Sequence, residues 1–114
     1  MPPETPPAMT LTSENGAWQA SLWWFPDPAR KGLNDVVYRI ADQTALATDG
    51  LTIETQPWMP AHGHGTSTVP DVTPQGAGLY WATPVNLYMS GRWELRTSIG
   101  GASEDRVVFQ VDVP

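Results

Sequence analysis

Cysteine is absent from this 114-residue chain, which removes disulfides, thiolate metal sites and cysteine nucleophiles together. Basic residues are scarce, with six Lys and Arg against twelve Asp and Glu for a net charge of -6. Scattered along the chain, they form no basic surface to neutralise phosphates or anionic lipid, so nucleic acid is not expected as a partner. No apolar run approaches the roughly 18 to 20 residues that a spanning helix needs, and no membrane span is expected within this sequence. Catalytic signatures are missing too: there is no Gly-x-Ser-x-Gly elbow, no glycine loop followed by lysine to cradle phosphate, and no His-Glu-x-x-His. Ser67 lies too near His64 in sequence to imply an oriented triad. An enzyme is not expected.

What is present describes extended chain. Six tryptophans, twelve prolines and ten glycines, with abundant Val, Thr and Leu, suit many short strands joined by turns. The length suits one domain with a hydrophobic core. Residues 1–8, Met-Pro-Pro-Glu-Thr-Pro-Pro-Ala, form a proline-rich leader or linker. It is either a semi-rigid spacer between a membrane anchor and the domain, left when a signal is trimmed, or a disordered end. The domain takes residues 9–114.

Alternation places the strands. Met9 to Ser13 and Trp18 to Phe25 flank Glu14-Asn15-Gly16, the Asn-Gly signal of a tight hairpin. In the second segment Trp18, Ala20, Leu22 and Trp24 share a face and are expected inside. Pro26 to Gly32 is a loop. Asn34 to Asp42 alternates again, and Asp49-Gly50 suggests a hairpin connection into Leu51 to Trp58. Thr66 to Val72, interrupted by Pro70, belongs at an edge if it pairs at all. Pro74 to Gly78 is expected to turn, and Pro84 to divide Leu79–Thr83 from Val85–Ser90 by a kink or a switch between sheets. Trp93, Leu95, Thr97 and Ile99 alternate, and Gly100-Gly101 closes a hairpin into Val107 to Val113. Roughly seven to nine short antiparallel strands at this spacing predict an all-β, immunoglobulin-like β-sandwich.

The stretch Trp58-Met59-Pro60-Ala61-His62-Gly63-His64-Gly65-Thr66 holds both histidines of the chain. One residue apart on extended backbone, their side chains point the same way with alpha carbons about 7 Å apart, so two imidazoles can grip one ion. Imidazole suits copper, zinc and nickel, and a thioether such as Met59 or Met89 selects Cu(I), so a His, His, Met set reads as copper. The bland reading is a pair of polar residues hydrogen-bonding a glycine-rich loop. Each methionine also fits the core by itself, Met59 in phase with Leu51 and Ile53, Met89 with Val85 and Leu87. Trp18, Trp24, Trp81 and Trp93 are most simply core. Trp58 is expected to shield or pack the histidine loop, and Trp23 to be partly buried under the leader.

Three separated pieces carry a family resemblance: Met59-Pro60-Ala61-His62-Gly63-His64-Gly65, then Gly78-Leu79-Tyr80, then Met89-Ser90-Gly91-Arg92-Trp93-Glu94-Leu95. In order and spacing they resemble the YtkA-like (FixH-like) domains, over roughly Trp18 to Val113. The resemblance implies an immunoglobulin-like domain exported across the bacterial inner membrane. It would sit in the periplasm or at the envelope, often as a lipoprotein or beside an anchor, and near copper transport or oxidase assembly proteins. Carried over by position, Met59, His62, His64 and Met89 become the candidate ligands of a copper ion. Cu(I) is favoured, but histidine at position 62, where many members have methionine, admits Cu(II) or zinc. The expected role is a copper chaperone, buffer or delivery module. The rival is a protein-interaction or assembly module of the envelope that binds no metal, marked by an exposed apolar patch with Trp23 or Trp58. A third reading, sugar binding, predicts a flat aromatic sheet face.

Overall fold

The computed structural model describes residues 5–101 and 104–114. Nine strands follow in chain order: β1 (Met9–Thr12), β2 (Trp18–Phe25), β3 (Gly32–Asp42), β4 (Thr52–Met59), β5 (His64–Gly65), β6 (Asp71–Gly76), β7 (Leu79–Leu87), β8 (Gly91–Gly100) and β9 (Asp105–Val113). They form two antiparallel sheets, a first of order β1-β2-β3-β7-β6 and a second of order β5-β4-β8-β9. The expected all-β sandwich is what the chain adopts. Among the described residues there is no helix long and apolar enough to cross a membrane.

Period-two patterning decides which residues meet between the sheets. Trp18, Ala20, Leu22 and Trp24 of β2, Val36, Tyr38 and Ile40 of β3, and Trp93, Leu95 and Ile99 of β8 are all buried in one core with Phe109 and Val107 of β9. Each fully buried side chain of this size contributes about 1.5–3 kcal/mol relative to exposure. One polar cluster interrupts this core. The Tyr38 hydroxyl lies 2.8 Å from the Thr55 hydroxyl and 3.0 Å from that of Thr97, and the two threonines are 3.0 Å apart. Tyr38 belongs to the first sheet and the threonines to the second, so this triangle ties the sheets together. Burial pushes the Tyr38 phenol up to about 12, against the pull of its two threonine hydrogen bonds.

Several local expectations are corrected. The segment after β3 does not close a hairpin, because β3 and β4 lie in different sheets. Asp42 instead accepts from the Thr44 amide and hydroxyl and from the Leu46 amide. The Tyr80 hydroxyl then donates to the Thr48 carbonyl and accepts from the Leu51 amide, steering the chain across. Pro84 neither ends its strand nor switches sheets, and the expected kink takes the form of a bulge. β7 runs unbroken from Leu79 to Leu87 within the first sheet, and the pairing shifts register between Asn34 and Val36. Thr83 and Pro84 therefore lie across from Asp35 alone, a bulge where a residue without an N–H leaves no gap in the ladder. Pro74 likewise belongs to β6, an edge strand that tolerates it, and the turn narrows to Ala77-Gly78, both at positive φ, as a two-residue hairpin requires.

The outer face of the first sheet carries the tryptophans that patterning left open. Trp23, Val37 and Leu79 are buried there as a second cluster, with half-buried Trp81 against it rather than in the main core. Trp23 is covered as expected: its Nε1 donates to the Thr5 carbonyl of the leader at 2.8 Å. Earlier leader residues lie outside the described ones.

Register also defines the two ends of the sandwich. Gly32 pairs with Leu87, Gly91 with Val113 and Met59 with His64, so the β2–β3 loop, the histidine turn, the β7–β8 link and the end of β9 gather at one pole. At the other, the β1–β2 hairpin meets the start of β9.

Candidate metal centre

The histidine turn is assembled by backbone geometry. Met59 ends β4 facing inward, only 1% exposed. Its carbonyl accepts from the His62 amide at 3.2 Å and the Gly63 amide at 3.0 Å, which folds Pro60 to Gly63 into a tight turn. Gly63 stands at φ 65, the left-handed region that side chains disfavour. His64 and Gly65 then return as β5, opposite Met59 and Trp58. A Cβ at Gly65 would come within 2.6 Å of the Pro57 carbonyl oxygen, so only glycine permits this approach. The two histidines are thus not both on extended backbone, as the His-x-His spacing suggests: His62 lies within the turn and His64 is the first residue of the strand that leaves it.

The reversal still brings their rings together. The His62 and His64 ring centroids are 5.5 Å apart with planes tilted by 30°. With nitrogen–metal bonds of about 2.0–2.1 Å, two imidazoles sharing an ion stand roughly 5 to 6 Å apart between centroids, so this separation suits a shared ion. His62 is exposed and His64 half-buried. Among the described residues no group of three or more His, Asp or Glu side chains gathers to hold a metal. Two imidazoles are short of the four protein ligands of structural zinc.

The methionines differ in access. Met59 is part of the core, its methyl 3.0 Å from where a Cβ on Gly91 would lie. Half-buried Met89 packs against that core from the β7–β8 link, and its carbonyl accepts from Trp93 Nε1 at 2.9 Å. The Met-x-Gly-x-Trp run has a packing role here: its glycine makes room for Met59, and its tryptophan fixes the backbone at Met89. Trp58 packs beneath the turn, its ring edge 3.2 Å from where a Gly65 Cβ would be, with the Arg96 guanidinium 4.6 Å from its ring centre.

Tyr88 is the residue that patterning missed. Its ring lies 6.2 Å from that of His64, nearly parallel at 18°, and meets Trp93 edge-on at 5.5 Å. Its hydroxyl lies 3.2 Å from His64 Nδ1. The available signal was an aromatic residue just past the buried Leu87, out of phase with the core and hence at the rim of the pole. A family model described as YtkA-like matches residues 12–98. Among curated proteins and solved structures, none matches the chain.

Proposed function

The chain belongs to the YtkA-like family, and from that premise we propose that it is a copper-binding protein of the bacterial periplasm or envelope, acting as a chaperone, buffer or delivery module without catalysis. The observation that carries this reading is the pair of imidazole rings 5.5 Å apart on a solvent-facing turn. Chemistry favours copper over zinc. Two nitrogens leave zinc far from its preferred four ligands, whereas a thioether, for which half-buried Met89 at the same pole is the candidate, is the soft donor that Cu(I) selects. Met59, enclosed in the core, would assist only from beneath the site. An open, low-coordinate site at one pole suits cargo that must be passed on, and a copper transport or oxidase assembly protein is the kind of partner that would complete the coordination.

The deciding experiment is an anaerobic Cu(I) titration against a chromophoric chelator, comparing the native domain with a His62→Ala, His64→Ala double variant. Withdrawal of one equivalent by the native domain alone supports the site, and Met89 and Met59 become the next substitutions. No withdrawal, with blank Cu(II) and Zn(II) trials, sinks it.

The rival reading of an interaction module expected an exposed apolar patch with Trp23 or Trp58, but Trp23 is buried and Trp58 half-buried; one other observation still supports it. Phe25, 41% exposed, stacks on Trp81 at 5.6 Å on the outer face of the first sheet, beside the Trp23, Val37 and Leu79 cluster. Under that reading a Phe25→Ser, Trp81→Ser variant loses a binding partner that the histidine double variant retains.

A further inference from the structure

We propose that Tyr88 is a positioning residue that holds His64 as the tautomer protonated on Nδ1, leaving Nε2 as the nitrogen that takes the metal; this rests on the metal-binding reading above. Three polar atoms form a closed triangle beside the turn. His64 Nδ1 lies 3.2 Å from the Gly65 carbonyl oxygen and 3.2 Å from the Tyr88 hydroxyl, and that hydroxyl lies 3.4 Å from the same carbonyl. The Gly65 carbonyl discriminates between the two ways of placing their protons. A carbonyl oxygen only accepts, whereas a phenol both donates and accepts. If Nδ1 carried a lone pair, the phenol could donate to it, but the Gly65 carbonyl oxygen 3.2 Å away would then face that lone pair as a second acceptor with no proton between them. With the proton on Nδ1, the ring donates to the Gly65 carbonyl and to the phenol oxygen, the phenol donates to the carbonyl, and every atom has a partner. A neutral imidazole protonated on Nδ1 carries its lone pair on Nε2.

That arrangement is the one a ligating histidine needs, since giving the second ring N–H to a carbonyl or similar acceptor fixes both tautomer and ring direction. Tyr88 adds orientation through its ring. Buried Trp93, anchored through the Met89 carbonyl, braces Tyr88 edge-on, and Tyr88 in turn lies nearly parallel to His64 with its hydroxyl turned to Nδ1. Rigidity thus passes from the core through two aromatic rings to one histidine. His62 has no hydrogen bond to its ring among the described residues and remains the adaptable partner. The geometry assigns His64 as the preset ligand and His62 as the one that closes on the ion.

The test uses the full chain in three forms: native, Tyr88→Phe and Tyr88→Leu. Phe keeps the ring and loses the hydroxyl; Leu loses both. Long-range proton–nitrogen NMR on the metal-free protein reads the His64 tautomer directly. The expected result is Nδ1–H in the native protein, a shift of population towards Nε2–H in Tyr88→Phe, and Cu(I) affinity lowered by about 10-fold in Tyr88→Phe and further in Tyr88→Leu. Native His64 protonated on Nε2 overturns the proposal. So does a Tyr88→Phe variant that matches native in both nitrogen shifts and affinity while Tyr88→Leu does not, because the ring would then act by packing alone. If Tyr88→Phe shifts the tautomer but no form withdraws copper, the positioning role stands and the copper reading falls.

Discussion

At one pole of the sandwich, Asp105 accepts from the Ser13 hydroxyl at 2.6 Å and from the amides of Asn15, Ala17 and Arg106, joining the β1–β2 hairpin to the start of β9. At the opposite pole, His62 projects into solvent and His64 commits one ring nitrogen to its neighbours. Both poles are made of turns carrying polar side chains, yet the Asp105 carboxylate spends both its oxygens within its pole, whereas His62 has no hydrogen bond to its ring among the described residues. A fully satisfied cluster stabilises and has nothing left for a ligand; one with spare lone pairs adds little stability but is available. The difference separates a structural end from the candidate binding end without any appeal to motifs.

The largest expected effect tests whether the binding end is also rooted in the core. Met59→Ala should cost about 2–5 kcal/mol of stability through the cavity it leaves, measured by denaturant unfolding. Met59→Leu should restore most of that stability. If it also restores native Cu(I) affinity, Met59 is core alone; if stability returns and affinity does not, the thioether is a ligand.

Next comes the structural pole. Burial raises the Asp105 carboxyl, but the hydrogen bonds from Ser13, Asn15, Arg106 and Ala17 more than reverse this and hold it below the usual carboxylate range. A lowered folded value means that the contribution is fully present above the unfolded value, about 3.9, and is lost as pH falls through the folded one. Asp105→Asn turns an N–H towards donors and should cost about 1–3 kcal/mol at neutral pH. It should also flatten the acid limb of stability below about pH 4. An unchanged acid limb would show that other carboxylates govern acid unfolding.

Between the poles, Tyr38→Phe removes the hydroxyl that bridges Thr55 and Thr97 and should cost about 1 kcal/mol, readable as a shifted denaturant midpoint. The smallest effect belongs to the binding pole itself. The His62→Ala, His64→Ala variant should stay within about 0.5 kcal/mol of native stability. A loss of several times that would erase the contrast, making the histidines structural after all.

Much of the fold was legible because a strand repeats every two residues and the core reads one face of it. Trp18, Ala20, Leu22 and Trp24 could be placed inside from parity alone, and Asn15-Gly16 marked its own hairpin. Parity names a face but not a neighbour, which is why the crossing after β3 and the unbroken course of β7 through Pro84 were not legible. Both depend on partners distant in sequence, the Tyr80 hydroxyl in one case and the shifted pairing with β3 in the other. The candidate site was legible in composition and not in shape. His62 and His64 stand out as the only imidazoles, but the left-handed backbone at Gly63 that turns one ring towards the other is a choice glycine permits and does not announce. Tyr88 was hidden for a related reason: its hydroxyl meets His64 only because β7 and β4 end at the same pole.

Pro57 and Pro74 sit in strands at the margins of the two sheets, β4 being covered by β5 for only two residues and β6 having no strand beyond it. A bare strand margin is a template on which another copy of a chain can add itself and grow into fibrils. Each of these prolines leaves a missing donor in that template. At these two margins the chain is therefore a poorer template for its own copies.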